Sequence, residues 1–204
     1  MVRRTPATRA TPSLPPAPPP AGAGPGRPRI AVAVSRYNWT VTSALLEGAR
    51  TSFRSAVGAD LPPEDAFYAP GAFEIVALCH AAAESRAFDG VVALGCIIKG
   101  ETIHDQVLAH AVTQALANIP LVTGVPVTLG VLTVNSGRQA KDRAGGRQGN
   151  KGAEAMDALL LTLAELRRLW ARAGTDGRPA PALEIDLRTL AAPSPPDKLA
   201  KGGR

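Results

Sequence analysis

The residue types best suited to chemistry cluster in Gly95-Cys-Ile-Ile-Lys-Gly-Glu-Thr-Ile-His104. An apolar run from Phe88 to Leu94 reads as a strand. It leads into a Gly-bounded turn holding a lysine, a carboxylate, a hydroxyl and a histidine. The spacing predicts a helix starting within that turn, with Thr102 as its cap. A helix start points unbonded backbone N–H groups and the positive end of its dipole outward, which suits an anion. His104, in the first turn of that helix, is then a candidate proton carrier beside an anion pocket, because imidazole changes charge near neutral pH.

Such a pocket needs elements to position it, and the chain supplies an alternation of strands and helices. Ile30 to Val34 is a continuous apolar run, as a strand covered on both faces requires. Val41, Ala44, Leu45, Gly48, Ala49 and Phe53 recur at helical spacing, and Ala66-Phe67-Tyr68 reads as a second strand. A helix carrying Ala72, Ile75, Val76, Cys79 and Ala83 follows Pro70-Gly71. After the third strand comes a helix with Val107, Leu108, Ala111, Val112, Ala115, Leu116 and Ile119 on one face. Pro126 to Leu132 is the fourth strand. Ser136 is placed to cap a short helix, and Asn150 to cap a last one with Met156, Leu159, Leu160, Leu163 and Leu166 inward. Repeated β-α units predict a parallel sheet with helices on both faces.

Ligands of such sheets collect beyond the carboxyl ends of the strands. The polar residues fall there: Arg36-Tyr37-Asn38 after strand one, Gly71 to Glu74 after strand two, and Lys99 to His104 after strand three. Thr133 to Asn135 follow strand four, with Arg143 and Lys151 beyond. The rim is suited to a polar, partly aromatic, anionic substrate.

The net charge of +6 suggests nucleic acid only until it is divided along the chain. Residues 1–29 carry five arginines and no acid, and residues 172–204 carry six basic against four acidic residues, whereas the middle is nearly neutral. Neither end contains an aromatic residue for base stacking, so nucleic acid is not an expected partner. No segment is long and apolar enough to span a membrane, and Cys79 and Cys96 are too few for a disulfide framework. These features point to the cytoplasm. An Arg-rich, acid-free start leaves a plastid transit peptide as the alternative, although it has a single serine and no amphipathic stripe. Residues 1–28 are expected to be a disordered Pro/Ala/Arg-rich tail, 29–171 the folded domain and 172–204 a flexible extension.

Ser35-Arg-Tyr-Asn38, Pro70-Gly-Ala-Phe-Glu-Ile75, Gly95 to His104, Gly130-Val-Leu-Thr133 and Arg143-Ala-Gly-Gly-Arg-Gln-Gly-Asn-Lys-Gly152 occur together in one order. Over about residues 29–170 this pattern resembles the 6,7-dimethyl-8-ribityllumazine synthases. The resemblance implies a flavodoxin-like three-layer α/β/α sandwich with a four-stranded parallel sheet, and the penultimate step of riboflavin biosynthesis. It implies no cofactor and no metal. By position, Tyr37 would stack on the pyrimidine, while Ala72, Phe73 and Glu74 would hold the ribityl chain. Cys96, Ile97 and Ile98 would meet the pyrimidine edge, with Leu129 and Lys151. Gly100, Glu101, Thr102 and Arg143 would line the phosphate site, and His104 would be catalytic. The resemblance also implies homopentamers with sites between neighbours, Leu129, Arg143 and Lys151 coming from the adjacent subunit. The short Gly145 to Gly149 segment favours a 60-subunit icosahedral shell, although Pro28 stands where it could hinder the N-terminal contacts of such a shell.

Blander readings stand beside these. His110 falls on a polar helix face, and His80 beside Cys79 reads as a packed residue. His104, Asp105 and His110 do not converge on one face as metal ligands must. Glu74 could serve only the start of its helix, Glu101 could merely position backbone, and Arg147 reads as solvated. Leu129 replaces an aromatic usual in the family, which removes a stacking wall worth about 1 kcal/mol. Asp105 also replaces an aromatic; it could hold the imidazole of His104. A binding or scaffold protein without strong catalysis is the alternative to an enzyme. A flavodoxin-like electron carrier is disfavoured, because the first loop lacks a Ser/Thr-rich phosphate cradle.

Overall fold

Strand β1 (Ile30–Ser35) is buried at every position, as its uninterrupted apolar run demands. The computed structural model describes residues 26–172. The expectations for residues 1–25 and 173–204 lie outside that range. After β1 the chain forms α1 (Trp39–Val57), a 3-10 turn (Pro63–Asp65), β2 (Ala66–Ala69), α2 (Ile75–Ser85) and β3 (Gly90–Ile98). There follow α3 (His104–Thr123), β4 (Val127–Val134), α4 (Gly137–Asp142), β5 (Ala144–Gly146), β6 (Gly149–Asn150) and α5 (Lys151–Arg172).

The main sheet has the order β2-β1-β3-β4 and is parallel throughout. Alternation along the strands divides the interior in two. Ile30, Val32, Val34, Val92 and Leu94 pack with Leu45, Phe53, Met156 and Leu159 of α1 and α5. Ala31, Ala33, Val91 and Ala93 pack with Ile75, Cys79, Val112 and Leu116 of α2 and α3. Each large apolar side chain so buried contributes about 1.5–3 kcal/mol before chain entropy is subtracted. The result is the expected three-layer α/β/α sandwich of flavodoxin type. No helix among the described residues is long and apolar enough to cross a membrane.

At the end of the sheet away from the strand tips, the Arg29 guanidinium donates to Asp65 at 3.0 Å. The backbone N–H of Arg29 donates to Asp89 at 2.7 Å. Arg167 of α5 reaches the other Asp89 oxygen at 3.2 Å. The amino ends of β1 and β3 are thus pinned, which leaves the opposite rim for ligand.

Several local expectations are corrected. Gly95 to Ile98 is strand rather than turn, because it pairs with Val131 to Val134 of β4. Gly95 reads as a turn residue in the sequence, but its role is steric: a Cβ there would lie 3.2 Å from Ile75 of α2. Ala72 precedes α2 instead of belonging to it, and α3 continues through Pro120 to Thr123, a turn beyond Ile119. The antiparallel pair β5-β6 was not anticipated. Val107 and Ala111 of α3, read as inward, are exposed.

Candidate active site

The rim beyond the strand tips contains a cavity of ≈ 690 Å3. Its walls come from the loop after β1 (Tyr37), the approach to α2 (Gly71, Ala72, Phe73, Glu74), the end of β3 (Cys96, Ile97, Ile98), and the β3-α3 connection and first turns of α3 (Gly100, Thr102, His104, Asp105, Leu108). Each is there for a local reason. Asn38 takes a left-handed backbone (φ 59°) and swings the chain out of β1, leaving Tyr37 at the rim with 72% exposure. Its side-chain amide donates to the carbonyl oxygen of Cys96 at 2.9 Å, which ties that loop to β3. Phe73, in the turn before α2, is 62% exposed among the described residues.

His104 is the first residue of α3 and is exposed at the cavity. Thr102 does not cap the helix as expected. The residue preceding α3 is Ile103, with no side-chain cap, and the Thr102 hydroxyl instead accepts from the His104 N–H at 3.3 Å. It fixes the backbone that carries the imidazole. Glu74 precedes α2 and makes no capping hydrogen bond, so its carboxylate is available at the cavity. The Cys96 thiol is pushed up to about 11 by burial, so it is a neutral wall and not a nucleophile at neutral pH.

Leu129, Arg143 and Lys151 lie elsewhere. They line a second cavity, of ≈ 570 Å3, along β4 and against α5, and the two cavities share no residue. Ser136 accepts from the Gln139 N–H at 3.3 Å and starts α4, which delivers Arg143. There the guanidinium donates to the Gln139 carbonyl at 3.2 Å. The Lys151 N–H donates to the Arg143 carbonyl at 2.8 Å and closes the β5-β6 hairpin, while Lys151 Nζ pairs with Glu154 at 2.6 Å. Asn150 caps α5, as read from the sequence, by accepting from Gly152 and Ala153. Glu101 is exposed and lines neither cavity.

Of the other histidines, His110 is exposed as expected. His80 is not packed: its side chain is 45% exposed and pairs with Glu84 at 3.6 Å. No hydrogen bond or ion pair joins Asp105 to the imidazole of His104, and the Asp105 Oδ1 has no hydrogen-bond partner. Leu108, read from the sequence only as part of the apolar face of its helix, lines the cavity; so does Gly71, placed at the rim without a role, as was Asn38, which ties its loop to β3. An Asn between a buried strand and a helix was the available signal for the last.

The parallel sheet and the rim cavity with its histidine and carboxylate define an open α/β protein of the kind whose ligands collect beyond the strand ends. The family model described as 6,7-dimethyl-8-ribityllumazine synthase matches residues 27–167, and the chain belongs to that family. It is 41% identical over 142 residues to 6,7-dimethyl-8-ribityllumazine synthase 1 of Caulobacter vibrioides, covering 70% of this chain and 92% of that one. It is 41% identical over 135 residues to the 6,7-dimethyl-8-ribityllumazine synthase of Lactiplantibacillus plantarum (66% and 84%). With the enzyme of that name from Deinococcus deserti it shares 38% over 141 residues (69% and 90%).

Proposed function

We infer that the protein condenses 5-amino-6-(D-ribitylamino)uracil with 3,4-dihydroxy-2-butanone 4-phosphate. The products are 6,7-dimethyl-8-ribityllumazine, inorganic phosphate and two molecules of water, in the penultimate step of riboflavin biosynthesis. The observation that carries this reading is the placement of His104 at the start of α3, facing one cavity with Tyr37 and Glu74.

In that cavity Tyr37 stacks on the pyrimidine, and the backbone of Ala72 and Phe73 with the Glu74 carboxylate holds the ribityl hydroxyls. Backbone groups of Cys96 to Ile98 meet the pyrimidine edge. The amine of the pyrimidine attacks the ketone, and loss of water gives the imine. His104 moves the protons of that step and of the elimination in which the C–O bond to phosphate breaks. Gly100, Thr102 and the exposed Glu101 backbone frame the departing phosphate. Ring closure on the ribitylamino nitrogen loses the second water.

Arg143, Lys151 and Leu129 complete the site from a neighbouring subunit. Their seating in a cavity of their own supports this, because a guanidinium fork suited to phosphate is of no use to His104 within one chain. A ring of such heterologous contacts closes as a homopentamer, and a 60-subunit shell is the larger assembly we favour. Formation of the lumazine from both substrates, followed by absorbance with purified assembled protein, tests the synthase reading. Absence of product would refute it, and His104→Ala should lower kcat by about 10²–10⁴-fold.

A further inference from the structure

Asp105 is buried without a reason internal to the fold. It sits in the first turn of α3, is 8% exposed, lines the rim cavity, and has an Oδ1 with no hydrogen-bond partner. A carboxylate near a helix start interacts favourably with the dipole. That term is smaller than the penalty of burying a carboxylate oxygen without a partner. The contrast with Asp65 is informative. Asp65 is 1% exposed and accepts from Arg29 Nε at 3.3 Å and Nη2 at 3.0 Å. Where this chain buries a carboxylate for structure, it supplies a cation. No ion pair of the described residues involves Asp105. A carboxylate left without a cation in a residue that lines a ligand cavity is matched by a ligand donor.

We propose that Asp105 is a substrate-binding residue of this site: its carboxylate accepts a hydrogen bond from an N–H or O–H donor of the polar substrate seated beside His104. The inference rests on the reading above, under which this cavity takes the ribitylaminopyrimidine. That molecule carries amino, ring N–H and hydroxyl donors, whereas the other substrate meets its partners mainly through phosphate. Asp105 thus gives the cavity a second carboxylate beside Glu74, and it selects for the donor-rich substrate.

The test compares wild type with Asp105→Asn and Asp105→Leu as full-length assembled protein. It reads three quantities: Tm without ligand, Kd for 6,7-dimethyl-8-ribityllumazine by calorimetry, and KM for each substrate. Asp105→Leu is expected to melt at or above wild type, because an unsatisfied buried oxygen has been removed, whereas Asp105→Asn, whose amide keeps one such oxygen, should melt close to wild type. Asp105→Leu should bind the lumazine about tenfold more weakly, a change of about 1.4 kcal/mol, and Asp105→Asn less weakly than that, because a neutral amide oxygen still accepts, though less strongly than a carboxylate. The pyrimidine KM should rise in parallel, while the phosphate-substrate KM stays within about twofold. Variants that melt lower and bind the lumazine like wild type would make Asp105 a support of the helix start and overturn the proposal. Variants unchanged in both binding and KM would overturn it as well, whatever their Tm. If wild type neither binds nor forms the lumazine, the synthase reading fails and this inference falls with it. If wild type does both and the variants match it, this inference alone fails.

Discussion

Asn38 and Cys96 are joined across the junction of β1 and β3: the Asn38 amide donates to the Cys96 carbonyl oxygen at 2.9 Å. The strand order reverses at that junction, where open parallel sheets receive their ligands. One hydrogen bond therefore sets the spacing between the Tyr37 loop and the β3 wall.

Replacing Asn38 separates its two roles. Asn38→Gly keeps the left-handed backbone and loses only the bond, a loss of about 1 kcal/mol. Asn38→Ala adds the strain of a side chain in the left-handed region, for a total of about 2–3 kcal/mol. Urea unfolding should rank them in that order. Both should raise the pyrimidine KM by releasing Tyr37. Equal stability of the two variants would show that the backbone conformation carries no strain.

A comparable pair tests how the basic cavity is held. Asn150 caps α5 through its Oδ1 and donates to the Ala44 carbonyl at 2.8 Å through Nδ2. Asn150→Asp keeps the cap and gives up the tie to α1, so it should lose about 1 kcal/mol, whereas Asn150→Ala should lose about 2. Gly152 is less forgiving, since a Cβ there would lie 2.0 Å from the Leu45 carbonyl oxygen of α1. Gly152→Ala should lose about 3 kcal/mol or more and displace Lys151 and Arg143. Thermal melting of the three variants checks the order, and an unperturbed Gly152→Ala would contradict the close approach of α1 and α5.

The two thiols predict the alkaline limit of stability. Burial pushes Cys79 up to about 12 and Cys96 up to about 11, from an ordinary value of 9.0. Above pH 9 the unfolded chain releases these protons and the folded one does not, so the unfolded state binds fewer protons and stability falls with pH. The loss begins near pH 9 and approaches about 1.4 kcal/mol per pH unit for each thiol until its folded value is reached. Below pH 9 the thiols are silent. Cys79→Ala should flatten the decline between pH 9 and 11 while lowering stability at pH 7 through the lost packing. A denaturant midpoint measured across this range decides it, and an unchanged slope in the variant would exclude the thiol.

What the sequence revealed and what it hid follow one physical division. Ile30 to Val34 was legible as a buried strand because burial on both faces leaves no polar position, and Asn150 was legible as a cap because the interaction is local. His104 was legible by type and by its place at a helix start. The far end of β3 was not, since Gly95 breaks the local pattern and only pairing with β4 and the nearness of Ile75 explain it. The β5-β6 hairpin escaped notice because its strands are too short for periodicity and are set by positive φ at Gly145 and Gly149. Asp105 was visible as a departure from the family pattern. That its carboxylate would be buried and unpartnered depended on tertiary packing.

The separation of His104 from Arg143 yields the sharpest test of assembly. If each site takes His104 from one subunit and Arg143 from the next, His104→Ala and Arg143→Ala damage opposite sides of the same interface. Arg143→Ala alone should chiefly raise the KM of the phosphate substrate, because the guanidinium contributes binding to the phosphate rather than proton transfer. Mixing the two variants after dissociation and reassembling them places some wild-type His104 sides against wild-type Arg143 sides. In a randomly mixed ring, about a quarter of the interfaces are intact, since each must draw the right side from both neighbours. The mixture should therefore regain about a quarter of wild-type activity at low phosphate substrate, where each parent alone is nearly inactive. A mixture no better than the mean of its parents would place both residues in one chain's site and rule out the shared arrangement.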